Sequence, residues 1–215
     1  VLDWSIQAFD EAPSVGHVVV VCPEGRVDET RAAVRRLAPA VSVSFVPGGA
    51  TRQESCLAGL RAVPAGLPLV AIHDGARPLI SVDTIEAVIA RVRADGSLAG
   101  AICAHPSVDT LKVVKDGIVC TTPDRSCYWA VQTPQVFRLD VVLAAHEAAA
   151  ADGFVGTDDS SLVERMGGRV ACVESPSDNI KVTVPEDRRP VEAILSGRLA
   201  ERADGRRRAW GGVRS

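Results

Sequence analysis

An apolar run in the segment Leu69–Pro78 ends abruptly in polar and charged residues, beginning at His73. Such a run predicts a buried strand that leads into a loop, and ligands of open α/β sheets bind outside the carboxyl ends of strands. There Arg77 could grip a phosphate with two hydrogen bonds, Asp74 could bind hydroxyls or a Mg²⁺ ion, and Gly75 would let a ligand approach the backbone. For this segment alone, a polar strand end that caps the next helix is an equally good interpretation.

A second candidate site lies where Gly48 and Gly49 separate a predicted strand from a predicted helix. Glycines at such a junction expose backbone N–H groups, and a helix N-terminus favours anionic or polar ligands. Arg52 and Ser55 follow in the same junction, where a serine hydroxyl can hydrogen-bond to the edge of a ligand. The alternative interpretation is a plain tight turn.

Lys181 is the best single candidate for a phosphate-binding cation. It alternates with Ile180 and Val182 in a segment that the pattern predicts to be a strand, so its side chain should point to the opposite face from theirs. A charged residue in a central strand is costly unless it is paired or functional.

The elements that position these residues follow from alternating apolar patterns. Strand and helix alternate through the first half of the chain, which predicts a mostly parallel sheet with helices on both faces. Predicted strands cover residues 17–22, 41–46, 69–73, 98–104, 169–173 and 180–184, and predicted helices include residues 27–38, 53–63 and 141–151. A capping box of Asp83 and Glu86 should open a further helix. We expect one domain over residues 1–197 and a basic, disordered tail over residues 198–215.

Residues 107–131 interrupt this alternation and predict a projecting arm. Two β-prone runs flank Asp116–Gly117, which is a signal for a hairpin. Because isolated hairpins are marginally stable, we expect the arm to pack on another subunit, the alternative being a hairpin folded back on its own domain. Asp109–Thr110 and Asp124–Arg125 flank the arm, where threonine and arginine would suit an anion in an intersubunit groove. For Arg125 a surface salt bridge is as good an interpretation.

The composition excludes several classes of protein. A formal net charge of −3 indicates no nucleic-acid surface, and an aromatic content of 4% offers few platforms for stacking bases. No apolar run is long enough to span a bilayer, and the first residues do not have the pattern of a signal peptide. The six scattered cysteines form no CxxC pair, which indicates reduced thiols in a cytoplasmic protein and argues against a zinc site.

Taken together, the candidates combine cations, an acid and exposed backbone at successive strand ends. This combination favours phosphoryl or nucleotidyl transfer, in which the protein mainly positions phosphates and neutralises charge. The residues concerned are Gly49, Asp74, Arg77, Asp109, Thr110 and Lys181.

Six ordered motifs resemble those of 2-C-methyl-D-erythritol 4-phosphate cytidylyltransferases. The resemblance to this family covers the chain from Val1 to about Leu195. Residues 48–60 resemble GGxxRxxSVxxGL, residues 73–78 resemble HDAARP, residues 106–112 resemble PVxDTxK, residues 133–137 resemble TPQxF, residues 157–158 resemble TD, and residues 179–187 resemble NIKxTxPED. Six motifs in order are far more specific than any one of them.

The resemblance implies a Rossmann-like nucleotidyltransferase fold, of the nucleotide-diphospho-sugar transferase type, and a homodimer joined by interlocking arms. It implies Mg²⁺-dependent transfer of CMP from CTP to 2-C-methyl-D-erythritol 4-phosphate in non-mevalonate isoprenoid biosynthesis. The substrate phosphate would attack the α-phosphorus directly, giving 4-diphosphocytidyl-2-C-methyl-D-erythritol and pyrophosphate.

The resemblance also implies roles for residues on the nucleotide side. By position, Gly49, Ala50 and Ser55 would recognise the cytosine. Asp74 would hold ribose or substrate hydroxyls near the metal ion. Gly75 would belong to the same nucleotide site, and it stands where the family motif has alanine.

On the acceptor side, the resemblance assigns Arg77, Thr157 and Lys181 to methylerythritol phosphate. Thr110 and Arg125 would reach that substrate from the arm of the partner subunit. Lys181 would also stabilise the charge that builds on the phosphates, so Lys181, Asp74 and Arg77 are the predicted catalytic residues.

One departure from the family stands at the start of the sequence. The family opens with a strand and a glycine-rich loop whose arginine and lysine clamp the CTP triphosphate, and no part of this sequence matches that segment. The expectation is an incomplete copy with impaired folding or activity. Two alternatives stay open: a cytidylyltransferase for another polyol phosphate such as ribitol 5-phosphate, and a non-catalytic fragment that only dimerises or binds a ligand.

Overall fold

Strands and helices follow one another through the whole part of the chain that this computed structural model describes, which is the backbone of residues 1–211 and the side chains of residues 1–201. The helices are α1 (Leu2–Glu11), α2 (Val27–Arg35), α3 (Arg52–Arg61), α4 (Val82–Ala94), α5 (Leu139–Asp152), α6 (Asp159–Arg165) and α7 (Arg188–Gly211). The strands are β1 (His17–Cys22), β2 (Ser42–Pro47), β3 (Leu69–Ile72), β4 (Gly100–Pro106), β5 (Val113–Lys115), β6 (Ile118–Thr121), β7 (Trp129–Arg138) and β8 (Val170–Glu174).

The main sheet has the strand order β3-β7-β4-β8. Within it β4 runs parallel to β8, whereas β7 runs antiparallel to both β3 and β4. The strands β1 and β2 form a separate parallel pair. In the main sheet β3, β4 and β8 therefore share one direction, as expected for a mostly parallel sheet. The strand β7 makes this sheet mixed because it returns directly from the arm with no crossover helix before it.

Helices cover both faces of the main sheet, and the alternation along β4 shows how the sequence achieves this. Ala101 and Cys103 of β4 pack into the core cluster beneath α1 and α4, while Ile102 between them packs into the cluster beneath α3, α5 and α6. The strand β7 does the same with Val136 and Phe137. Because each buried apolar side chain contributes roughly 1.5–3 kcal/mol, these two clusters fix the positions of the strand ends.

A cavity of about 470 Å³ lies between β1 and β3. Within the described residues β1 pairs with β2 alone and β3 with β7 alone, so the two edges face the cavity without a strand between them. Its lining is apolar along both strands and becomes polar at the carboxyl ends, where it includes Arg52, Ser55, Asp74 and Gly75. The cavity therefore opens beside two of the segments that the sequence analysis selected.

The hairpin of β5 and β6 confirms the predicted turn. Asp116 and Gly117 both have positive φ, 50° and 78°, as a two-residue type I′ turn requires. Every residue of both strands is exposed, including Val114 and Ile118. The arm thus presents an apolar surface that its own domain does not cover.

Two local predictions are wrong. Residues 180–184 form no strand, and the Val182 N–H bonds to the carbonyl of Ala76. The cap of α4 is Ser81, and the predicted capping partner Glu86 instead accepts hydrogen bonds from Ser14.

The last helix extends into the C-terminal tail. The helix α7 runs from Arg188 to Gly211 and so enters the predicted tail of residues 198–215, and residues 212–215 lie outside the described part. Arg198 explains why the helix stays attached, since its guanidinium donates to the carbonyl of Leu79 and to the carboxylate of Asp178.

Candidate active site

The loop that follows β3 is held in shape by a histidine. His73 Nδ1 lies 3.0 Å from Thr133 Oγ1, which also accepts the Asp74 N–H, and His73 Nε2 lies 3.2 Å from the carbonyl oxygen of Arg77. A carbonyl can only accept, so Nε2 carries the hydrogen and Nδ1 accepts from the threonine hydroxyl. Burial lowers the pKa of His73 to about 4, and the neutral ring fixes the backbone of Asp74.

The segment that carries Lys181 is tied to the same loop by backbone contacts. Arg77 Nη1 donates to the carbonyl of Asn179 at 2.7 Å, and the Asn179 side chain in turn donates to the carbonyl of Thr133. The Val182 N–H bonds to the loop on the other side of Lys181. These contacts bring together two motifs that are about a hundred residues apart in the sequence.

Asp74 lies at the centre of the site and faces three cations. Its carboxylate is 3.0 Å from Lys181 Nζ, 3.4 Å from Arg77 Nε and 3.8 Å from Arg52 Nε. Burial alone would raise the pKa of Asp74, but the hydrogen bond from Lys181 and the charges of the cations prevail, so the pKa is lowered. Because Arg52 also pairs with Asp159, three cations face two carboxylates, and the cluster keeps a positive surplus that can hold phosphates.

The glycine-rich turn before α3 is the second part of the site. Thr51 caps the helix by accepting from the Glu54 N–H. The N–H of Gly49 donates to Ser55 Oγ at 3.1 Å, and the N–H of Ala50 donates to the Glu54 carboxylate at 2.8 Å. The turn therefore presents polar groups at the helix start, beside the mouth of the cavity.

The other predicted residues lie outside this cluster. Thr157 is exposed and immediately precedes Asp158, the N-cap of α6. Thr110 and Arg125 are exposed on the arm, where Arg125 Nη1 donates to the carbonyl of Val108. Within one chain, the structure brings together three parts of the site: the glycine turn before α3, the strand end after β3, and Lys181. The arm lies apart from them.

Sequence reasoning named Arg52 only as part of a turn and did not select Asp159. The Arg52 guanidinium joins the turn to the strand end, because Nη2 donates to Asp159 at 2.7 Å while Nε faces Asp74. This contact between α3 and α6 depends on tertiary packing, and Asp159 lies just after the quoted TD motif of residues 157–158, so no local signal could have indicated it.

Comparison with known proteins identifies the family. Residues 1–197 match the family described as IspD, 2-C-methyl-D-erythritol 4-phosphate cytidylyltransferase. A protein with that enzyme name from Symbiobacterium thermophilum is 44% identical over 196 residues, which are 91% of this chain and 80% of the relative. This chain belongs to the 2-C-methyl-D-erythritol 4-phosphate cytidylyltransferase family.

Further relatives agree. A 2-C-methyl-D-erythritol 4-phosphate cytidylyltransferase of Geobacter metallireducens is 41% identical over 203 residues, covering 93% of this chain and 86% of the relative. The crystal structure of 4-diphosphocytidyl-2C-methyl-D-erythritol synthase from Anaerococcus prevotii superposes with a TM-score of 0.84 at 29% identity, covering 91% of this chain and 88% of that one. The crystal structure of 2-C-methyl-D-erythritol 4-phosphate cytidylyltransferase from Thermus thermophilus superposes with a TM-score of 0.75 at 31% identity, covering 91% of this chain and 88% of that one. The predicted family and nucleotidyltransferase fold are therefore confirmed.

Proposed function

We propose that this cytidylyltransferase-family chain transfers CMP from CTP to 2-C-methyl-D-erythritol 4-phosphate, releasing pyrophosphate and contributing to non-mevalonate isoprenoid biosynthesis. The observation that carries the proposal is Asp74 with Lys181, Arg77 and Arg52 within 3.8 Å of its carboxylate. A reaction between two phosphate-bearing substrates needs like charges to be neutralised and the phosphates to be aligned, which such a cluster supplies.

The two catalytic cations have different surroundings, which suits different roles. Lys181 has a side chain that is 41% exposed, so its ammonium can exchange Asp74 for a substrate phosphate. Arg77 is only 14% exposed and is bonded to Asn179, so it anchors the segment of Lys181 as well as adding positive charge. The acceptor phosphate would then attack the α-phosphorus of CTP while Lys181 stabilises the charge on the phosphates.

We place the cytosine against the turn of Gly49 and Ala50, with Gly75 allowing close approach from the strand end. The N–H groups of the turn donate to Ser55 and Glu54. Binding of a cytosine would exchange these internal hydrogen bonds for bonds to the base edge, so Ser55 Oγ would be released to contact it.

A divalent cation such as Mg²⁺ fits the donor set. Mg²⁺ in nucleotide sites is commonly held by one or two carboxylates together with substrate phosphates. Asp74 supplies one ionised carboxylate at the site, and among residues 1–201 there is no cluster of three or more potential ligands to form an all-protein cage. The ion would neutralise phosphate charge, and Asp74 would hold it or the substrate hydroxyls.

The arm supports a homodimer in which each arm serves the partner's site. Thr110 and Arg125 lie on the arm away from Asp74 of their own chain, while Val114 and Ile118 are 55% and 71% exposed. Covering these apolar side chains with a second copy would remove them from water and would carry Thr110 and Arg125 to the partner's acceptor site.

We also infer that the chain works in the cytoplasm, because all six cysteines are free thiols, the state kept in reducing compartments. Among the described residues no helix is both long and apolar enough to cross a bilayer.

The test is pyrophosphate release by the full chain with CTP and Mg²⁺. We expect release with 2-C-methyl-D-erythritol 4-phosphate and little with ribitol 5-phosphate. A preference for ribitol 5-phosphate would instead favour the alternative of a cytidylyltransferase for another polyol phosphate. Calorimetric titration with CTP and Mg²⁺ distinguishes the remaining alternative, since CTP binding without turnover on either acceptor would indicate a non-catalytic fragment.

A further inference from the structure

A chain of charged contacts leads from the protein core to the site. The Nε2 atom of buried His146 lies 3.0 Å from Asp159 Oδ1, and the other oxygen of Asp159 accepts from Arg52 Nη2 at 2.7 Å. Arg52 Nε then faces Asp74 at 3.8 Å. Four side chains from α5, α6, α3 and the strand end of β3 are thus connected in series.

The first two members of this series are fixed by burial. The side chains of His146 and Asp159 are 0% and 1% exposed. Within the described residues His146 Nδ1 has no hydrogen-bond partner, so a proton there would leave a buried N–H unpaired. His146 donates from Nε2 to Asp159, and Arg52 is the second side chain that compensates the carboxylate.

The neighbouring Asp158 shows that Asp159 is not needed to cap α6. Asp158 accepts from the N–H of Ser161 and from the side chain of Gln135, and so performs the capping itself. Asp159 therefore has both oxygens committed to His146 and Arg52. Burial alone would raise the pKa of Asp159, but the hydrogen bonds from these two partners prevail and lower it.

Arg52 itself is 43% exposed, so without Asp159 its long side chain could rotate into water. A buried carboxylate left without its cation would be strongly unfavourable, which keeps Arg52 in place. Arg52 lines the cavity together with Asp74, so its exposed part is available to a ligand there.

We infer that Asp159, oriented by His146, is a positioning residue that holds Arg52 beside Asp74, where Arg52 is a further phosphate-contacting cation of the site. This inference rests on the proposed nucleotidyl transfer for its substrate, CTP or the acceptor phosphate. It assigns to the α3–α6 contact a role in the reaction beyond joining two helices.

The kinetic test is a double-mutant cycle in the pyrophosphate-release assay. We expect Arg52→Gln and Asp159→Asn each to lower kcat/KM by about ten- to a hundredfold, the range for losing a charge-assisted hydrogen bond. If Asp159 acts through Arg52, the double variant is no slower than Arg52→Gln. Multiplicative losses would overturn the positioning role. Asp152→Asn, which breaks the exposed pair of Asp152 and Arg165, is the matched control and should stay near the wild type.

His146 provides a conservative rescue. His146→Gln keeps an N–H donor for Asp159, whereas His146→Leu leaves the carboxylate with one partner fewer. We expect the leucine variant to lose activity and the glutamine variant to recover most of it. Equal activities of the two variants would contradict the role of His146.

Side-chain NMR separates this inference from the proposed reaction and does not depend on the folding of a core variant. In the wild type, ¹⁵N relaxation of Arg52 Nε should show an immobilised guanidinium, in contrast to Arg61, whose side chain is 60% exposed in its contact with Glu147. Equal mobility of the two arginines would overturn the inference. A wild-type chain that shows a rigid Arg52 but no turnover with CTP and the acceptor would refute the proposed function alone.

Discussion

Replacing Lys181 by alanine removes the nearest of the three cations around Asp74. The ammonium lies 3.0 Å from Asp74, and the side chain is 41% exposed. Arg77 and Arg52 remain at 3.4 Å and 3.8 Å, so the carboxylate is not left without a positive neighbour. The perturbation therefore separates the contribution of Lys181 to folding from its contribution to the reaction.

The two contributions differ in size. A partly exposed ion pair contributes about 1 kcal/mol or less to stability, because water and salt screen it. Losing a group that stabilises charge in the transition state typically costs about 10²–10³-fold in kcat, or about 3–4 kcal/mol. We expect Lys181→Ala to unfold at nearly the wild-type temperature and to lose at least a hundredfold in turnover.

The assay is steady-state pyrophosphate release with CTP, Mg²⁺ and 2-C-methyl-D-erythritol 4-phosphate, together with thermal unfolding of the same samples. Arg61→Ala, which removes a surface ion pair of 3.0 Å with Glu147, is the matched control and should keep both activity and stability. Turnover of Lys181→Ala within a few fold of the wild type would refute the role of Lys181. A loss of stability of several kcal/mol would show that the reasoning from exposure is wrong.

Three further outcomes follow from other parts of the molecule. His73 should stay neutral in an NMR titration down to about pH 5, because its pKa is lowered to about 4. The contribution of the neutral ring to the free energy of unfolding should therefore be lost as the pH falls from about 6.5 to about 4. A ring that titrates near pH 6.5 would contradict the assigned hydrogen bonds. Ile118→Asp on the arm should convert a dimer to a monomer in sedimentation velocity, and an unchanged dimer would contradict an arm-mediated interface. Gly100→Ala should lower the free energy of unfolding by about 1–3 kcal/mol, since an added Cβ would overlap a packed aromatic ring, whereas Gly96→Ala, with open space around it, should not.

The segment around Lys181 shows where sequence patterns stop being sufficient. Alternation of Ile180, Lys181 and Val182 predicts a strand, because a period of two is the local mark of extended backbone. The segment forms no strand, and its Val182 N–H bonds instead to the loop after β3. Whether an extended segment joins a sheet depends on which edge is free beside it, and this information is not local.

The start of α4 shows the same limit for helix caps. Asp83 and Glu86 have the spacing of a capping box, yet Ser81 caps the helix. Glu86 is occupied by Ser14, a residue 72 positions away, which no local motif could predict. A side chain with two possible partners takes the one that the packing of α1 against α4 brings within reach.

The sequence by itself determined the family, the order of most strands and helices, the hairpin at Asp116–Gly117 and the motifs around Asp74 and Lys181. These follow from local chemistry: apolar periodicity, turn residues and short ordered motifs. Only the tertiary structure decided that Lys181 and Arg52 both face Asp74, and that buried Asp159 holds Arg52. Those contacts join residues up to 107 positions apart, and they form because the two core clusters on opposite faces of the sheet fix the strand and helix ends that carry them.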